Sequence, residues 1–176
     1  TGAGGLLGGE LCRSLASAGH EITSVVRKPD AGLSSVEQQV CELSRSSNVE
    51  KLFNDKDFDA VVHCAAAIRR QEAADYYQDN VVATLNLMKH AKKVGVSRFL
   101  NMSTVSVYEG EGPFDETSAL ESTGLYSVSK ICAELALQLN ASDLFKVMTL
   151  RLAGLHGGSR SGGVVSSVVD AAMTGS

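Results

Sequence analysis

The chain opens on the stretch Thr1-Gly2-Ala3-Gly4-Gly5-Leu6-Leu7-Gly8, and this stretch decides the fold. Glycines at positions 2, 5 and 8 are followed at once by apolar residues at helical spacing, which predicts a tight turn that leads into a helix. Gly2 would permit the turn, Gly5 would let a diphosphate approach the backbone, and Gly8 would let the helix pack closely. Free N–H groups at the start of such a helix suit an anion. Alone, the pattern is a weak indication, because any glycine-rich turn can match it.

Downstream of this turn, apolar residues alternate between the period of a strand and the period of a helix. Strands are predicted at 22–26, 59–64, 98–103 and 146–150, and helices at 6–18, 49–54, 76–94, 126–139 and 164–173. The alternation predicts an α/β fold, a doubly wound parallel sheet that helices cover on both faces. Because the chain begins inside the glycine turn, we expect the sheet to lack its first strand.

Composition narrows the class of protein. The chain of 176 residues carries 16 Lys+Arg against 20 Asp+Glu, and a net charge of −4 argues against a nucleic-acid binder. No apolar run approaches the ~18 residues of a membrane span. The four cysteines, Cys12, Cys41, Cys64 and Cys132, lack metal-site spacing, so we expect no metal and interpret them as buried free thiols in a reducing cytoplasm.

Tyr126 and Lys130 lie four residues apart on a predicted helix, so both project from one face. A cation beside a phenol favours the phenolate and lowers its pKa, which would let Tyr126 exchange a proton with an alcohol or carbonyl oxygen. Ser103 and Thr104 end a predicted strand, at the sheet edge where ligands bind in such folds. The Thr104 hydroxyl could bind the same oxygen. An isolated pair at this spacing is usually an ordinary exposed helix pair.

The residues after the second predicted element bear on the choice of dinucleotide. An acid at this strand end would bind the ribose 2′-OH of NAD, and a cation would favour the 2′-phosphate of NADP. The positions read Val25-Val26-Arg27-Lys28, which favours NADP. Alternatively, Arg27 and Lys28 are solvated loop charges.

Several ordered motifs together resemble one family. They are the turn at 1–8, the strand at 59–66, the helix start at 80–86, the segments at 95–99 and 103–108, the Tyr126/Lys130 pair, and the segment at 150–157. In this order and spacing the chain resembles the extended short-chain dehydrogenases/reductases, also called NAD-dependent epimerases/dehydratases. The resemblance covers nearly the whole chain.

The resemblance implies a Rossmann dinucleotide-binding domain over residues 1–157, incomplete at its start, and a truncated substrate-binding region at 158–176. It implies Thr104, Tyr126 and Lys130 as catalytic residues and selects Thr104 over Ser103. Tyr126 and Lys130 would also contact the cofactor, NADP or NAD. The other implied cofactor contacts are Gly2, Gly5, Leu6, Leu7, Gly8, Arg27, Lys28, Glu42, Leu43, Cys64, Ala65, Ala66 and Asn80.

The sequence departs from the family pattern at Glu109, Leu152 and His156, which leaves the substrate less defined than the cofactor. His156 is either a substrate contact or a loop histidine without chemistry. His63, within an apolar strand, is interpreted as a hydrogen-bonded structural residue. An acidic loop at 109–124 is expected to border a ligand cleft.

Two functions remain open. The first is an NAD(P)-dependent oxidoreductase or epimerase that acts on a nucleotide sugar or similar small molecule, with a dehydratase less favoured because Val105 and Ser106 supply no acid. The second is a non-catalytic NAD(P)-binding sensor or scaffold. The retained Thr104, Tyr126 and Lys130 favour the enzyme. The resemblance also implies a homodimer that forms a four-helix interface from the two long helices.

Overall fold

The computed structural model describes residues 1–54, 56–157 and 164–174. Strands and helices alternate along these residues. The strands are β1 (Thr23–Val26), β2 (Glu37–Val40), β3 (Ala60–His63), β4 (Arg98–Thr104) and β5 (Lys146–Leu152). The helices are α1 (Leu6–Ser17), α2 (Ser46–Leu52), α3 (Ala73–Tyr76), α4 (Ala83–Lys93), α5 (Leu125–Asn140) and α6 (Val164–Thr174). The predicted α/β class is therefore confirmed.

Two local features differ from the sequence-based expectation. The strand β2 carries Glu-Gln-Gln-Val and was not predicted, because an edge strand pairs through its backbone and leaves its side chains without an apolar pattern. The single helix predicted at 76–94 begins earlier, at Ala73, and a π-helical segment, Tyr77–Val82, joins α3 to α4. Segments of this kind are frequent at functional sites.

Every strand pair is parallel, as predicted, but the sheet lies in two parts. β1 pairs with β2, and β4 lies between β3 and β5. Within the described residues, the gap between β1 and β3 is bridged at one end by the first residues of the chain. There the Thr1 nitrogen donates to Val62 O at 2.7 Å, and the Ala3 N–H donates to Val25 O at 3.4 Å. The expectation that this sheet lacks a strand is confirmed.

We call the gap between β1 and β3 the strand slot. The cavity there has a volume of about 70 Å³. Its lining is apolar apart from two threonines and comprises Thr1, Thr23, Val25, Leu52, Phe53, Phe58, Ala60, Val61, Val62 and Leu87.

Core residues lie on both faces of the sheet. Val25 joins a large cluster that contains Phe99, Leu87 and Leu137, whereas its neighbour Val26 joins a smaller cluster with Cys12 of α1. Because successive strand residues point to opposite faces, helices cover both sides. Within the described residues, no helix is both long and apolar enough to cross a lipid bilayer.

The four cysteines are free thiols, and two of them, Cys12 and Cys41, are buried. Cys64 is half-buried, and Cys132 is exposed, so the prediction that Cys132 is buried is wrong. Its neighbour Ala133 faces the core, and the next position on a helix points about 100° away. Apolar neighbours in sequence therefore do not bury Cys132.

Candidate active site

The glycine turn is shaped by close backbone approach. Gly2 has φ of +70°, and a β-carbon built on it would lie 2.5 Å from the backbone nitrogen of Ala65. A β-carbon on Gly8 would lie 2.2 Å from Gly2 O, so α1 packs directly on the turn. Only glycine fits either position. Gly5 precedes α1, and its lack of a side chain leaves the first N–H groups of the helix without a side-chain cap.

The segment Cys64–Ala66 follows β3 and lies against this turn. The Cys64 N–H donates to Thr1 O at 3.2 Å. Leu6, in the first turn of α1, is 37% exposed. The sequence-predicted cofactor contacts at 2–8 and 64–66 therefore lie together at the carboxyl edge of the sheet. The glycine turn and this segment form a backbone cradle that a β-carbon would fill. The cradle fits a dinucleotide phosphate group.

Thr104 ends β4, and its side chain binds the turn that follows. Its Oγ1 accepts a hydrogen bond from the Ser106 N–H at 3.2 Å and lies 3.2 Å from Ser106 Oγ. Thr104 is half-buried, and α5 contacts both β4 and the turn Val105–Val107. Thr104 and Tyr126 are thus carried by packed elements.

Tyr126 and Lys130 lie on consecutive turns of α5, as predicted, but their environments differ. Tyr126 is half-buried, with its ring 6.4 Å from the ring of Tyr76. Lys130 is only 1% exposed. Among residues 1–54, 56–157 and 164–174, its ammonium has no hydrogen-bond partner; its electrostatic neighbours are Glu134 and Cys64.

Burial dominates the protonation of both groups. It lowers the pKa of Lys130 from 10.5 to about 8, against the opposing charges of Glu134 and Cys64. It also raises the pKa of Tyr126, and Tyr76 adds to the rise. The expected lowering of the Tyr126 pKa by Lys130 is not found, because desolvation of the phenol and the neighbouring Tyr76 both raise this pKa.

Asn80 lies in the π-helical segment, and its amide binds protein on every side. Its Oδ1 accepts from the Ala67 N–H at 2.7 Å, while its Nδ2 donates to Ala67 O and to Ser129 Oγ. Ser129 in turn donates to Tyr126 O at 2.6 Å. Asn80 therefore holds the Ala67 segment against the start of α5, and any effect on a cofactor would pass through these partners.

Arg27 and Lys28 follow β1 and are exposed. The sequence reasoning missed Asp30, whose Oδ1 accepts from the Gly32 N–H at 2.9 Å. Its Oδ2 would lie 3.4 Å from a β-carbon built on Gly4. The Asp30 carboxylate thus lies beside the glycine turn, although no acidic residue stands directly at the end of β1. The signal was the Asp-Ala-Gly-Leu sequence of a capped turn.

The remaining predicted residues separate into surface and core. Glu42 is exposed, with Oε1 3.1 Å from Ser44 Oγ, but Leu43 belongs to the large core cluster. A side-chain contact between Leu43 and adenine therefore competes with its core packing. His156 is exposed.

His63 is a structural residue, as interpreted from sequence. Its Nε2 lies 2.9 Å from Thr84 Oγ1, and Thr84 donates its own proton to Asn80 O. Nε2 must then donate, so Nδ1 accepts from Thr1 Oγ1 at 2.7 Å. Burial, reinforced by Lys130, lowers the pKa of His63 far below its ordinary value and keeps the ring neutral. Across the described part of the chain, no group of three metal-ligating side chains occurs.

Comparison with known proteins identifies the family whose sequence model matches this chain. The sequence model of the NAD dependent epimerase/dehydratase family matches residues 1–176. The spore coat polysaccharide biosynthesis protein SpsK of Bacillus subtilis is 28% identical over 165 residues, which are 90% of this chain and 54% of SpsK. A UDP-glucose 4-epimerase of Erwinia amylovora is 26% identical over 182 residues, with 92% of this chain and 54% of that protein covered.

Solved structures agree with this family. MoeE5 in complex with UDP-glucuronic acid and NAD superposes with a TM-score of 0.84 and 29% identity, over 97% of this chain and 59% of MoeE5. The Rossmann fold expected from the motifs is thereby confirmed. The chain spans about half the length of the curated relatives named above.

Proposed function

Because the chain belongs to the NAD dependent epimerase/dehydratase family, we propose that it carries the cofactor-binding and acid–base part of an enzyme acting on a nucleotide sugar. The pairing of Tyr126 with a buried Lys130, beside a segment that packs on the glycine turn, carries this proposal. The substrate class is supported by relatives named UDP-glucose 4-epimerases and by the UDP-sugar in MoeE5.

In the proposed reaction, Tyr126 exchanges a proton with the oxygen on the reacting sugar carbon, and Thr104 donates a hydrogen bond to that oxygen. Bound NAD would supply the acceptor for the hydride. Since burial raises the pKa of Tyr126, its phenol is protonated at neutral pH and suits donation to a carbonyl oxygen. Proton removal from a hydroxyl should therefore become faster as the pH rises.

We propose an epimerase in preference to a simple reductase, because relatives carry that activity in their names. An epimerase returns the hydride and regenerates its cofactor, whereas a reductase consumes reduced cofactor. The full-length protein should therefore be incubated with UDP-glucose and related UDP-sugars, with NMR of the sugar and absorbance of the cofactor followed together. Stoichiometric loss of reduced cofactor would favour a reductase.

Replacement of Tyr126 by Phe tests the assigned acid–base residue. Loss of the phenol should lower kcat by about 10²–10⁴-fold, the usual share of general acid–base catalysis. The matched control is Tyr77→Phe, since Tyr77 is 55% exposed and lies outside this site. Unchanged turnover in Tyr126→Phe would overturn the assignment. Cofactor binding without turnover on any UDP-sugar would favour the alternative, a non-catalytic sensor or scaffold.

We propose NAD as the cofactor, supported by the family and by the NAD complex of MoeE5. Asp30 beside the glycine turn could accept hydrogen bonds from ribose hydroxyls, which a 2′-phosphate would lack. The exposed Arg27 and Lys28 support NADP as the second candidate. Calorimetric titration should show that Asp30→Asn weakens NAD binding, whereas Arg27→Ala does not. A loss of NADP affinity in Arg27→Ala would favour NADP.

We propose a homodimer that forms through α5. An exposed apolar stripe runs along this helix with spacings of three and four residues, and comprises Leu125, Val128, Cys132, Leu135 and Leu139. Such spacing suits helix–helix packing. In contrast, the exposed side chains Lys89, Lys92 and Lys93 of α4 make it a weaker contributor.

Cys132 lies at the middle of the stripe and serves as a natural reporter. In an antiparallel pair of α5 helices, the two Cys132 thiols would face each other, so a short bismaleimide should cross-link the full-length protein. Cys132→Ser is the matched control for the other thiols. Leu135→Glu should produce a monomer in sedimentation. A wild-type monomer, with the stripe covered by another part of the same protein, would overturn the dimer.

A further inference from the structure

A buried carboxylate lies one turn beyond Lys130 on α5. Glu134 is 5% exposed, and the four-residue spacing places it on the face of α5 that carries Lys130. The proposed acid–base chemistry does not use it. Its position therefore calls for a role of its own.

The Glu134 carboxylate fastens α5 to two strands. Ser103 on β4 donates a short hydrogen bond to its Oε1, and both Nε and Nη2 of Arg151 on β5 lie 3.0 Å from its Oε2. Ser103 and Arg151 are register partners on adjacent strands. The strand end that bears Thr104 is therefore joined to the helix that bears Tyr126 and Lys130.

The guanidinium of Arg151 also binds the segment between Thr104 and Tyr126. Its Nη1 donates to Tyr108 Oη at 2.5 Å and to Glu116 O at 3.3 Å, and its plane lies over the Tyr108 ring. Tyr108 donates to Asp115 O at 2.7 Å and stacks on Phe114 with ring centroids 5.0 Å apart. Arg151 thus joins a buried carboxylate to the loop at 109–124.

We propose that Glu134 and Arg151 are a positioning pair: the carboxylate balances the charge of Lys130, and the guanidinium holds loop 109–124 between Thr104 and Tyr126. The pair deepens the proposed function, on which it rests, by adding two positioning residues to the site. Three titratable groups act on Lys130 or are acted on by it: Glu134 on its own helix, Cys64 after β3 and His63 within β3. Arg151 is linked to Lys130 through its ion pair with Glu134.

Titration of Lys130 tests, without any substrate, the part of this proposal in which Glu134 balances the charge of Lys130. In the full-length protein with ¹³C-labelled lysine, the Lys130 Cε signal should report a pKa well below the ordinary value of 10.5. Glu134→Gln removes the only carboxylate beside Lys130 among the described residues and should lower this pKa. Arg151→Met removes a cation and should raise it. Glu50→Gln, which breaks the exposed pair with Lys93, is the matched control and should leave it unchanged.

The opposite signs separate positioning from a structural role. A merely structural ion pair would change stability in both variants and move the Lys130 titration in neither, and that outcome would overturn the proposal. If Glu134→Gln does not fold, Arg151→Met still gives the test by itself. Because the titration needs no turnover, it tests the positioning pair even if UDP-sugars prove not to be substrates.

Hydrogen exchange tests the part of the proposal in which Arg151 holds loop 109–124. Amides in loop 109–124 should exchange at least several-fold faster in Arg151→Met than in wild type, whereas Glu50→Gln should match wild type. If the enzyme turns over UDP-sugars, Arg151→Lys should mainly raise KM, because lysine keeps the charge but cannot bridge Glu134, Tyr108 and Glu116 together. Unchanged loop exchange in Arg151→Met would overturn the role of Arg151.

Discussion

At the scale of single residues, Lys130 is the side chain whose role depends most on the fold. Its spacing from Tyr126 can be predicted from sequence, because two residues four apart on a helix share a face. Its near-complete burial could not, since it depends on residues distant in sequence, such as His63 and Cys64, that the fold brings near it. Glu134 repeats the same spacing from Lys130 and could have been found by the same argument, whereas its partner Arg151 required the strand register.

Replacement of Lys130 by Met should stabilise the ligand-free protein at neutral pH. The pKa of Lys130 falls from 10.5 to about 8 on folding, so the folded state carries a buried charge below pH 8. Between pH 8 and 10.5 the folded state has lost this proton while the unfolded state keeps it, and the penalty declines as the pH rises. Its full value is roughly 3 kcal/mol.

Urea unfolding of wild type and Lys130→Met at pH 7 and pH 9 measures this effect. The advantage of the variant should be about 1 kcal/mol smaller at pH 9 than at pH 7. Both proteins should carry Cys64→Ser, because Cys64 is coupled to Lys130, and the titration of the other three cysteines then cancels in this difference. An advantage that is independent of pH would contradict the burial of a charged Lys130.

At the scale of elements, the glycine turn and α1 form a single packed unit. The sequence predicted this unit from three glycines, because each position has a separate steric requirement. The π-helical segment and β2 could not be predicted in the same way. The first depends on Asn80 reaching Ala67 and Ser129, and the second on backbone pairing of a polar edge.

Gly8→Ala should damage this unit. A β-carbon at Gly8 would lie 2.2 Å from Gly2 O, and backbone cannot yield as a flexible side chain would. We expect a loss of about 3 kcal/mol in the free energy of unfolding, at the upper end of overpacking effects. Chemical denaturation measures it. Gly4→Ala, whose β-carbon would meet only Asp30 Oδ2 at 3.4 Å, is the control and should stay near wild type.

At the scale of the whole molecule, the alternation of strands and helices in the sequence predicted a parallel sheet. In the structure this parallel sheet lies in two parts. β1 and β3 face each other across the strand slot, and Thr1 to Ala3 show the direction in which a strand would run between them. Core packing joins the two parts, since Val25 of β1 and Phe99 of β4 belong to one cluster.

An added strand should therefore stabilise the 176-residue chain. Five β-branched apolar residues fused ahead of Thr1 would pair with both β1 and β3 and fill the apolar slot. We expect the thermal midpoint to rise by roughly 5–10 °C, as a gain of a few kcal/mol gives for a domain of this size. A Gly-Ser extension of equal length is the control. Equal midpoints for the two extensions would contradict the slot as a strand site.

The same slot governs how copies of this 176-residue chain behave in concentrated solution. Within the described residues, β1 and β3 have no strand between them, and such strand edges can pair with extended segments of other molecules. The net charge of −4 repels such neighbours only weakly at physiological ionic strength. Colloidal stability is therefore decided at the exposed sheet edges, and a short capping peptide should protect the chain from aggregation better than a further change in charge.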